Sequence, residues 1–185
     1  PIPRRQRQMC IRDRLYRDSQ GSYMPSSNKV AYWIECSKSN YNQFELQKKP
    51  IKMVFFNEHK KLSSKMSNIK SNNSLLYILA SIHAKEQKAD DAIVLNEKDN
   101  IVESTNANLF LVKKEKLYTP PLTDGPLDGT LRSLILQYFV VEERSLSRED
   151  YEVSEEVFLT NAHGVRHVKE GVKAKEVVRQ LNSLI

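Results

Sequence analysis

The sequence predicts an α+β protein in which helices flank a curved, barrel-like sheet. Strand-like segments come first, followed by a helix, mixed strands, a second helix, further strands and a last helix. This order lacks the regular βαβ alternation of a parallel α/β sheet, so it favours the α+β class. Of the 185 residues, 39% are hydrophobic and 28% are charged, which is typical of a globular protein.

The predicted strands are short runs of β-branched and aromatic residues, and turn-forming residues separate them. Predicted turns lie at residues 18–23 and 97–100. The strands are predicted at residues 30–36, 51–56, 91–95, 101–104, 108–112, 156–161 and 164–168.

Three longer segments place apolar residues at helical spacing. They span residues 73–87, 129–139 and 173–184. A fourth, short helix is predicted to begin after Ser147, because a serine cap is followed there by acidic residues in the first turn.

The chain is basic, with a formal net charge of +6, which would suit a nucleic-acid binder. However, five arginines within residues 4–14 inflate this total, and the remaining lysines are scattered in pairs that are typical of solvated surface. We therefore predict no nucleic-acid partner, and no membrane partner because no run of 18 apolar residues occurs. Cys10 and Cys36 indicate reduced, cytoplasmic thiols, and the four histidines lack metal-ligand spacing, so no metal is predicted.

Three short motifs supply a lysine, an acid and a glycine-containing helix start. Lys70 lies in Asn-Ile-Lys-Ser-Asn-Asn, Glu103 begins Glu-Ser-Thr-Asn-Ala-Asn-Leu-Phe, and Gly129 and Thr130 begin a predicted helix. A lysine amine can form a Schiff base with an aldehyde. A carboxylate can keep a pyridine nitrogen protonated, and a helix start offers free N–H groups to a phosphate. Together these are the groups that hold pyridoxal phosphate.

Residues 103–110, Leu-Tyr-Thr at 117–119 and Leu-Asp-Gly-Thr-Leu-Arg at 127–132 resemble the motifs of class IV, or fold-type IV, pyridoxal-phosphate enzymes. This family includes branched-chain aminotransferases, D-amino-acid aminotransferases and aminodeoxychorismate lyases. The resemblance runs from about Leu15 to the C-terminus. It implies pyridoxal 5'-phosphate as cofactor, amino acid and 2-oxo acid substrates, and a homodimer in the full-length parent.

The resemblance implies that Lys70 is the catalytic residue and forms the internal aldimine. Glu103 would face the pyridine nitrogen, so both side chains are expected to point into one pocket. The remaining cofactor-binding residues would be Leu127, Gly129, Thr130, Leu131, Thr160 and Asn161.

Two of these positions depart from the branched-chain enzymes. Leu131 stands where those enzymes usually carry a threonine, so only a backbone contact with the phosphate is expected there. The turn that begins at Asn161 and Ala162 resembles the Asn-Ala turn of the lyases. Ser74 stands where branched-chain enzymes often place a tyrosine, which weakens that assignment.

The resemblance also implies a domain organisation. Residues 1–14 look unlike the family and are predicted to be an unstructured basic segment foreign to the fold. Residues 15–57 would be the tail of the small N-terminal domain, and residues 58–185 the large cofactor-binding domain. We therefore expect the family's first segment and its phosphate-binding arginine to be missing, and this chain alone to be inactive or nearly so.

The leading functional hypothesis is an aminotransferase that moves an amino group from an amino acid to a 2-oxo acid through a Lys70 aldimine. The alternative enzyme is an aminodeoxychorismate lyase of the folate and 4-aminobenzoate pathway, in which the same chemistry ends in pyruvate elimination. An inactive, truncated chain is the non-enzymatic alternative.

Overall fold

The computed structural model describes residues 9–38 and 43–184. Two compact units divide the chain, Pro1–Gln43 and Phe44–Leu184. The domain boundary predicted after residue 57 does not coincide with this division, because residue 57 lies inside a continuous strand of the second unit.

The first unit contains an antiparallel hairpin of strands β1 (Met9–Arg17) and β2 (Val30–Lys38). Residues 1–8 lie outside the described residues. From residue 9 onward, the prediction of an unstructured segment to residue 14 is wrong, because β1 pairs with β2 along its whole length. Charged residues interrupt the apolar pattern of β1, and its pairing is supplied by a partner about twenty positions later, which a local pattern cannot reveal.

The second unit contains eight strands and four α-helices. The strands are β3 (Met53–Lys61), β4 (Asp91–Asn96), β5 (Ile101–Ser104), β6 (Asn108–Lys113), β7 (Lys116–Thr119), β8 (Val141–Glu143), β9 (Glu156–Asn161) and β10 (Gly164–Lys169). The helices are α1 (Leu75–Glu86), α2 (Thr130–Tyr138), α3 (Arg148–Glu152) and α4 (Lys173–Ser183). Every strand and helix predicted in this unit is present, and β7 and β8 are additional.

The eight strands form one mixed sheet in the order β10-β9-β6-β5-β4-β3, and β7 joins β6 to β8. β3 and β4 are parallel, and α1 makes the crossover that such a pair requires. The predicted α+β class is confirmed. Among the described strands no ladder joins β3 to β10 or β8, so the sheet is not a closed barrel.

One face of the sheet is covered by helices. Phe56, Ala92 and Val94 of β3 and β4 pack against α1. Phe110 of β6 and Phe158 of β9 pack with residues of α2 and α4. No helix within residues 9–38 and 43–184 combines the length and apolar character needed to cross a membrane.

Candidate functional site

Three polar side chains lie side by side on the helix-covered face. Glu103 of β5 is paired with Asn108 of β6, and Asn108 is paired on its other side with Thr160 of β9. Directly paired residues in antiparallel strands project to the same face of a sheet. Glu103 is also paired with Val94, which packs against α1, so the row lies between the sheet and its helices.

Glu103 is buried and its carboxylate is held from three directions. Its residue exposure is 3%. Oε2 accepts the backbone N–H of Leu127 at 2.9 Å. Oε1 accepts both the Tyr77 hydroxyl and the Lys61 ammonium, each at 2.6 Å. A buried charge needs such pairing, so these contacts fit an ionised carboxylate.

Tyr77 and Lys61 reach Glu103 from two different elements. Tyr77 lies on α1, and burial, the negative charge of Glu103 and the hydrogen bond to it all raise the pKa of the Tyr77 phenol well above its usual value. The phenol is therefore a stable proton donor. Lys61 ends β3, and its Nζ also donates to the backbone oxygen of Ser67 at 3.1 Å.

The start of α2 lies directly over Asn108. Its cap residue Gly129 makes no side-chain cap hydrogen bond, and a Cβ added there would stand 2.2 Å from Asn108 Oδ1. Asn108 Nδ2 donates to the backbone oxygen of Leu127 at 2.8 Å. The first N–H groups of a helix have no partner within the helix and attract anions. The following residue, Thr130, is exposed, whereas Leu131 is buried in the core, so Leu131 can offer only its backbone N–H.

The end of β9 supplies a further polar group. Thr160 is 1% exposed, and its Oγ1 has no hydrogen-bond partner among the described residues. A buried, unsatisfied hydroxyl is costly, so it indicates a ligand or water on this side of the row. Asn161 instead stabilises the turn, since its Nδ2 donates to the backbone oxygen of Asn106 and its Oδ1 accepts the backbone N–H of His163.

Lys70 is exposed in a loop between β3 and α1. The loop is anchored by Asn68, whose backbone oxygen accepts the N–H of Asp128 and whose side chain donates to the oxygen of Pro126. The loop that carries Lys70 thus contacts the turn that leads into α2. The structure does not bring Lys70 against Glu103, and Lys61 is the lysine that contacts this carboxylate.

Sequence reasoning missed Lys61 and Tyr77. The sequence predicts that Lys60 and Lys61 form a solvated pair, whereas the structure buries Lys61, and this burial depends on the register of β3. Tyr77 carried a weak signal, as an aromatic hydroxyl within the helical segment before Glu103. It also lines a shallow, open pocket of about 440 Å³ between α1 and the turn at Thr105. None of the predicted cofactor-binding residues lines that pocket.

The chain is similar in sequence and in fold to known proteins. Residues 6–170 match the family model of class IV aminotransferases. A branched-chain-amino-acid aminotransferase-like protein from Arabidopsis thaliana is 38% identical over 104 residues, which are 53% of this chain and 18% of that protein. An aminodeoxychorismate lyase from Vibrio harveyi is 34% identical over 113 residues, which are 58% of this chain and 41% of that protein. The chain thus spans less than half the length of these relatives.

A solved structure is similar over almost the whole chain. The branched-chain aminotransferase from Thermobaculum terrenum, in its pyridoxal-phosphate form, aligns with a TM-score of 0.83. The alignment covers 95% of this chain and 64% of that one, at 19% identity. Identity at this level establishes a shared fold, and it agrees with the predicted fold-type IV architecture.

Proposed function

Because the chain belongs to the class IV aminotransferase family, whose members use pyridoxal phosphate, we propose that it is the core of a pyridoxal-phosphate-dependent aminotransferase. The substrates would be an amino acid and a 2-oxo acid. The observation that carries the proposal is the buried Glu103, held by three donors beside the start of α2.

The polar groups of this row fit the two ends of the cofactor. Glu103 offers a carboxylate for the ring nitrogen. At the other end, the α2 start and the unpartnered Thr160 Oγ1 offer N–H and O–H donors to a phosphate. Gly129 lets a ligand approach the backbone closely, since it has no Cβ. These groups therefore match the ring nitrogen at one end of the cofactor and the phosphate at the other.

Lys70 would form the covalent link to the cofactor's aldehyde, with loss of water. The aldehyde carbon and the ring nitrogen are para to each other, so the linking lysine and the ring acid stand at opposite ends of the ring. Lys61 touches Glu103 directly and therefore stands at the nitrogen end. Lys70 lies in the loop tied to the α2 turn, from which a long, flexible side chain can approach the other end.

The roles in catalysis divide between two residues. When bound, the cofactor supplies the aldehyde that receives the amino group and the ring that accepts the electron pair released at the substrate's Cα. Lys70 Nζ would be the base that takes the proton from the substrate's Cα and holds it for its return. Glu103 would hold the proton on the ring nitrogen. Lys70 takes up one proton and returns one, so its amine ends the reaction in its starting state.

The aminodeoxychorismate lyase reaction remains the second candidate, with pyruvate as the eliminated product. The specific observation in its favour is the turn after β9. There Asn161 bonds the backbone of Asn106 and of His163, in an Asn-Ala sequence that resembles the turn of the lyases. The buried Leu131 in place of a threonine points the same way.

Two variants test the division of roles. Lys70→Ala should abolish covalent attachment and activity, because no amine remains to form the link. Glu103→Gln should retain the cofactor but lower kcat by about 10²-fold, the scale expected for loss of one preorganised charge interaction. Lys65→Ala is the matched control, because Lys65 is exposed in the short helix Lys65–Asn68 just before Lys70.

Substrate assays then separate the two reactions. Transfer of the amino group to a 2-oxo acid supports the aminotransferase, whereas pyruvate release from aminodeoxychorismate supports the lyase. Normal turnover in Lys70→Ala would refute the assignment of Lys70. An unchanged kcat in Glu103→Gln would refute the role of Glu103.

A further inference from the structure

The ion pair between Lys61 and Glu103 has no part in the reaction proposed above. Lys61 Nζ lies 2.6 Å from Glu103 Oε1, and the two side chains are only 10% and 4% exposed. With Tyr77 and the Leu127 N–H, the carboxylate already accepts three donors. A carboxylate can accept about four hydrogen bonds, so Glu103 has about one acceptor site left for the ring nitrogen of a cofactor.

We propose that Lys61 is an internal counter-ion that competes with the protonated ring nitrogen of pyridoxal phosphate for Glu103 and moves aside when the cofactor binds. This inference rests on the proposed function, since it takes the ring nitrogen as the group that Glu103 receives. Lys61 is then a positioning residue. It holds the acid oriented in the cofactor-free protein.

Charge balance is the first argument. In the described residues, Lys61 is the one cation that forms an ion pair with Glu103, so the buried pair is neutral. A protonated ring nitrogen added beside Lys61 would leave one buried positive charge without a partner, which is strongly unfavourable. Tyr77 cannot compensate, because the raised pKa of its phenol keeps it neutral.

The way the three donors are held is the second argument. Tyr77 projects from α1, whose neighbouring residues pack against the sheet. The Leu127 N–H belongs to a turn fixed by the Asn108 side chain. The ammonium of Lys61, by contrast, ends a flexible side chain of four methylene groups. It is therefore the donor that can leave at the lowest cost.

Lys61 also lies close to the surface of the unit. Its second partner is the backbone oxygen of Ser67, in the helix Lys65–Asn68, which has no buried residues. Leu62, the next residue of the chain, is 73% exposed. The ammonium therefore lies near the edge of the unit, and a change of rotamer past Ser67 would return it to water.

The test compares Lys61→Met with Lys60→Met. Methionine keeps most of the side-chain volume and removes the charge. Lys60 is the matched control, because it precedes Lys61 on β3 and pairs with the exposed Asp99 instead of Glu103. Two quantities are measured for each protein: the melting temperature without cofactor, and the Kd for pyridoxal 5'-phosphate by absorbance titration.

Without cofactor, Lys61→Met should lower the melting temperature by roughly 6–20 °C, because Glu103 loses its counter-ion. It should nevertheless bind pyridoxal phosphate about 10-fold more tightly than the wild type, because no ammonium has to be displaced. The deficit in melting temperature should shrink at saturating cofactor. Lys60→Met should leave both quantities close to the wild-type values.

A ring analogue separates competition from a steric effect. In 1-deazapyridoxal 5'-phosphate a C–H group replaces the ring nitrogen, so the analogue has no N–H that could donate to the Glu103 carboxylate. Lys61→Met should not tighten its binding. Equal tightening for both compounds would mean that methionine merely opens space, and this would overturn the inference.

Two further outcomes are informative. If the wild type binds pyridoxal phosphate and Lys61→Met binds it equally or less tightly, Lys61 stays on Glu103 in the bound state and the inference is wrong, while the proposed function stands. If the wild type binds neither compound, the proposed function itself fails, and the inference fails with it.

Discussion

Replacing Gly129 with alanine should destabilise the junction between α2 and the sheet. The backbone of Gly129, at φ −75° and ψ 140°, suits any residue, so alanine introduces no backbone strain. The new Cβ, however, would stand 2.2 Å from Asn108 Oδ1. The Asn108 side chain would have to move and give up its 2.8 Å hydrogen bond to the backbone oxygen of Leu127.

The cost can be worked from these contacts. The lost hydrogen bond is worth about 1 kcal/mol, and forcing a methyl group into a packed contact costs about 1–3 kcal/mol. We therefore expect Gly129→Ala to lower the free energy of unfolding by about 2–4 kcal/mol. Urea denaturation of the cofactor-free protein measures this quantity, with the slope of the transition as a check on two-state behaviour.

A double-mutant cycle makes this prediction specific. In an Asn108→Ala background no side chain opposes the new Cβ, so Gly129→Ala should cost less than about 1 kcal/mol there, the residual preference of a helix cap for glycine. The reasoning would be refuted if the substitution cost the same in both backgrounds. It would also be refuted if Gly129→Ala in the wild type left the unfolding free energy unchanged.

Three further predictions follow from buried or paired groups. Glu156→Ala should lower the free energy of unfolding by about 2–4 kcal/mol, because its buried carboxylate accepts the Lys173 and Ala174 N–H groups at the start of α4, each at 2.8 Å. Urea denaturation measures this loss, and Glu156→Gln serves as a partial control. A loss below about 0.5 kcal/mol, which is the usual size of the effect of a surface substitution, would contradict the prediction. The Arg144 guanidinium holds the pKa of Asp150 well below its usual value. This carboxylate therefore stabilises the fold at pH values above its unfolded pKa of about 4, and the contribution is lost as pH falls toward the folded pKa. Asp150→Asn should make the free energy of unfolding depend less steeply on pH in the acid range, and an unchanged dependence would contradict the pairing. Burial raises the pKa of Tyr151 to about 12. Its contribution to the stability of the fold is therefore complete below the unfolded pKa of about 10 and is lost as pH rises from there toward the folded pKa. Tyr151→Phe should reduce the fall in melting temperature at alkaline pH, and an equally steep fall would mean that another group controls it.

The regular elements of the second unit could be predicted because their signals are local. The helical spacing at residues 73–87 corresponds to α1, Leu75–Glu86. The serine predicted to cap the short helix does so, as Ser147 Oγ accepts the Asp150 N–H at 3.1 Å. The strand β1 could not be predicted, because its apolar pattern is interrupted by charges and its pairing partner is distant in the sequence.

Lys61 shows why part of the candidate site could not be predicted. Successive residues of a strand point to opposite faces, so strict alternation from the buried Phe56 would place Lys60 on the helix-covered face. The pairing of β3 with β4 shifts register between Phe56 and Lys61. This irregularity turns Lys61 toward Glu103, and no feature of the local sequence predicts the irregularity.

Glu103 and the α2 turn could be predicted because their motifs have a specific spacing. The buried acid does receive the Leu127 N–H of the predicted turn. The position of Lys70 depends on a loop between β3 and α1, and loop geometry is set by tertiary contacts such as those of Asn68. Its assignment therefore remains a prediction that requires a chemical test.

The most direct test of the central claim is to identify the lysine that binds the cofactor. The protein would be incubated with pyridoxal 5'-phosphate and reduced with borohydride, which converts the covalent link to a stable amine, and the modified peptide would be identified by mass spectrometry. The account predicts modification at Lys70, and its loss in Lys70→Ala with Lys61 unmodified. Modification at Lys61, or labelling spread over exposed lysines to the same extent as in a denatured sample, would contradict it.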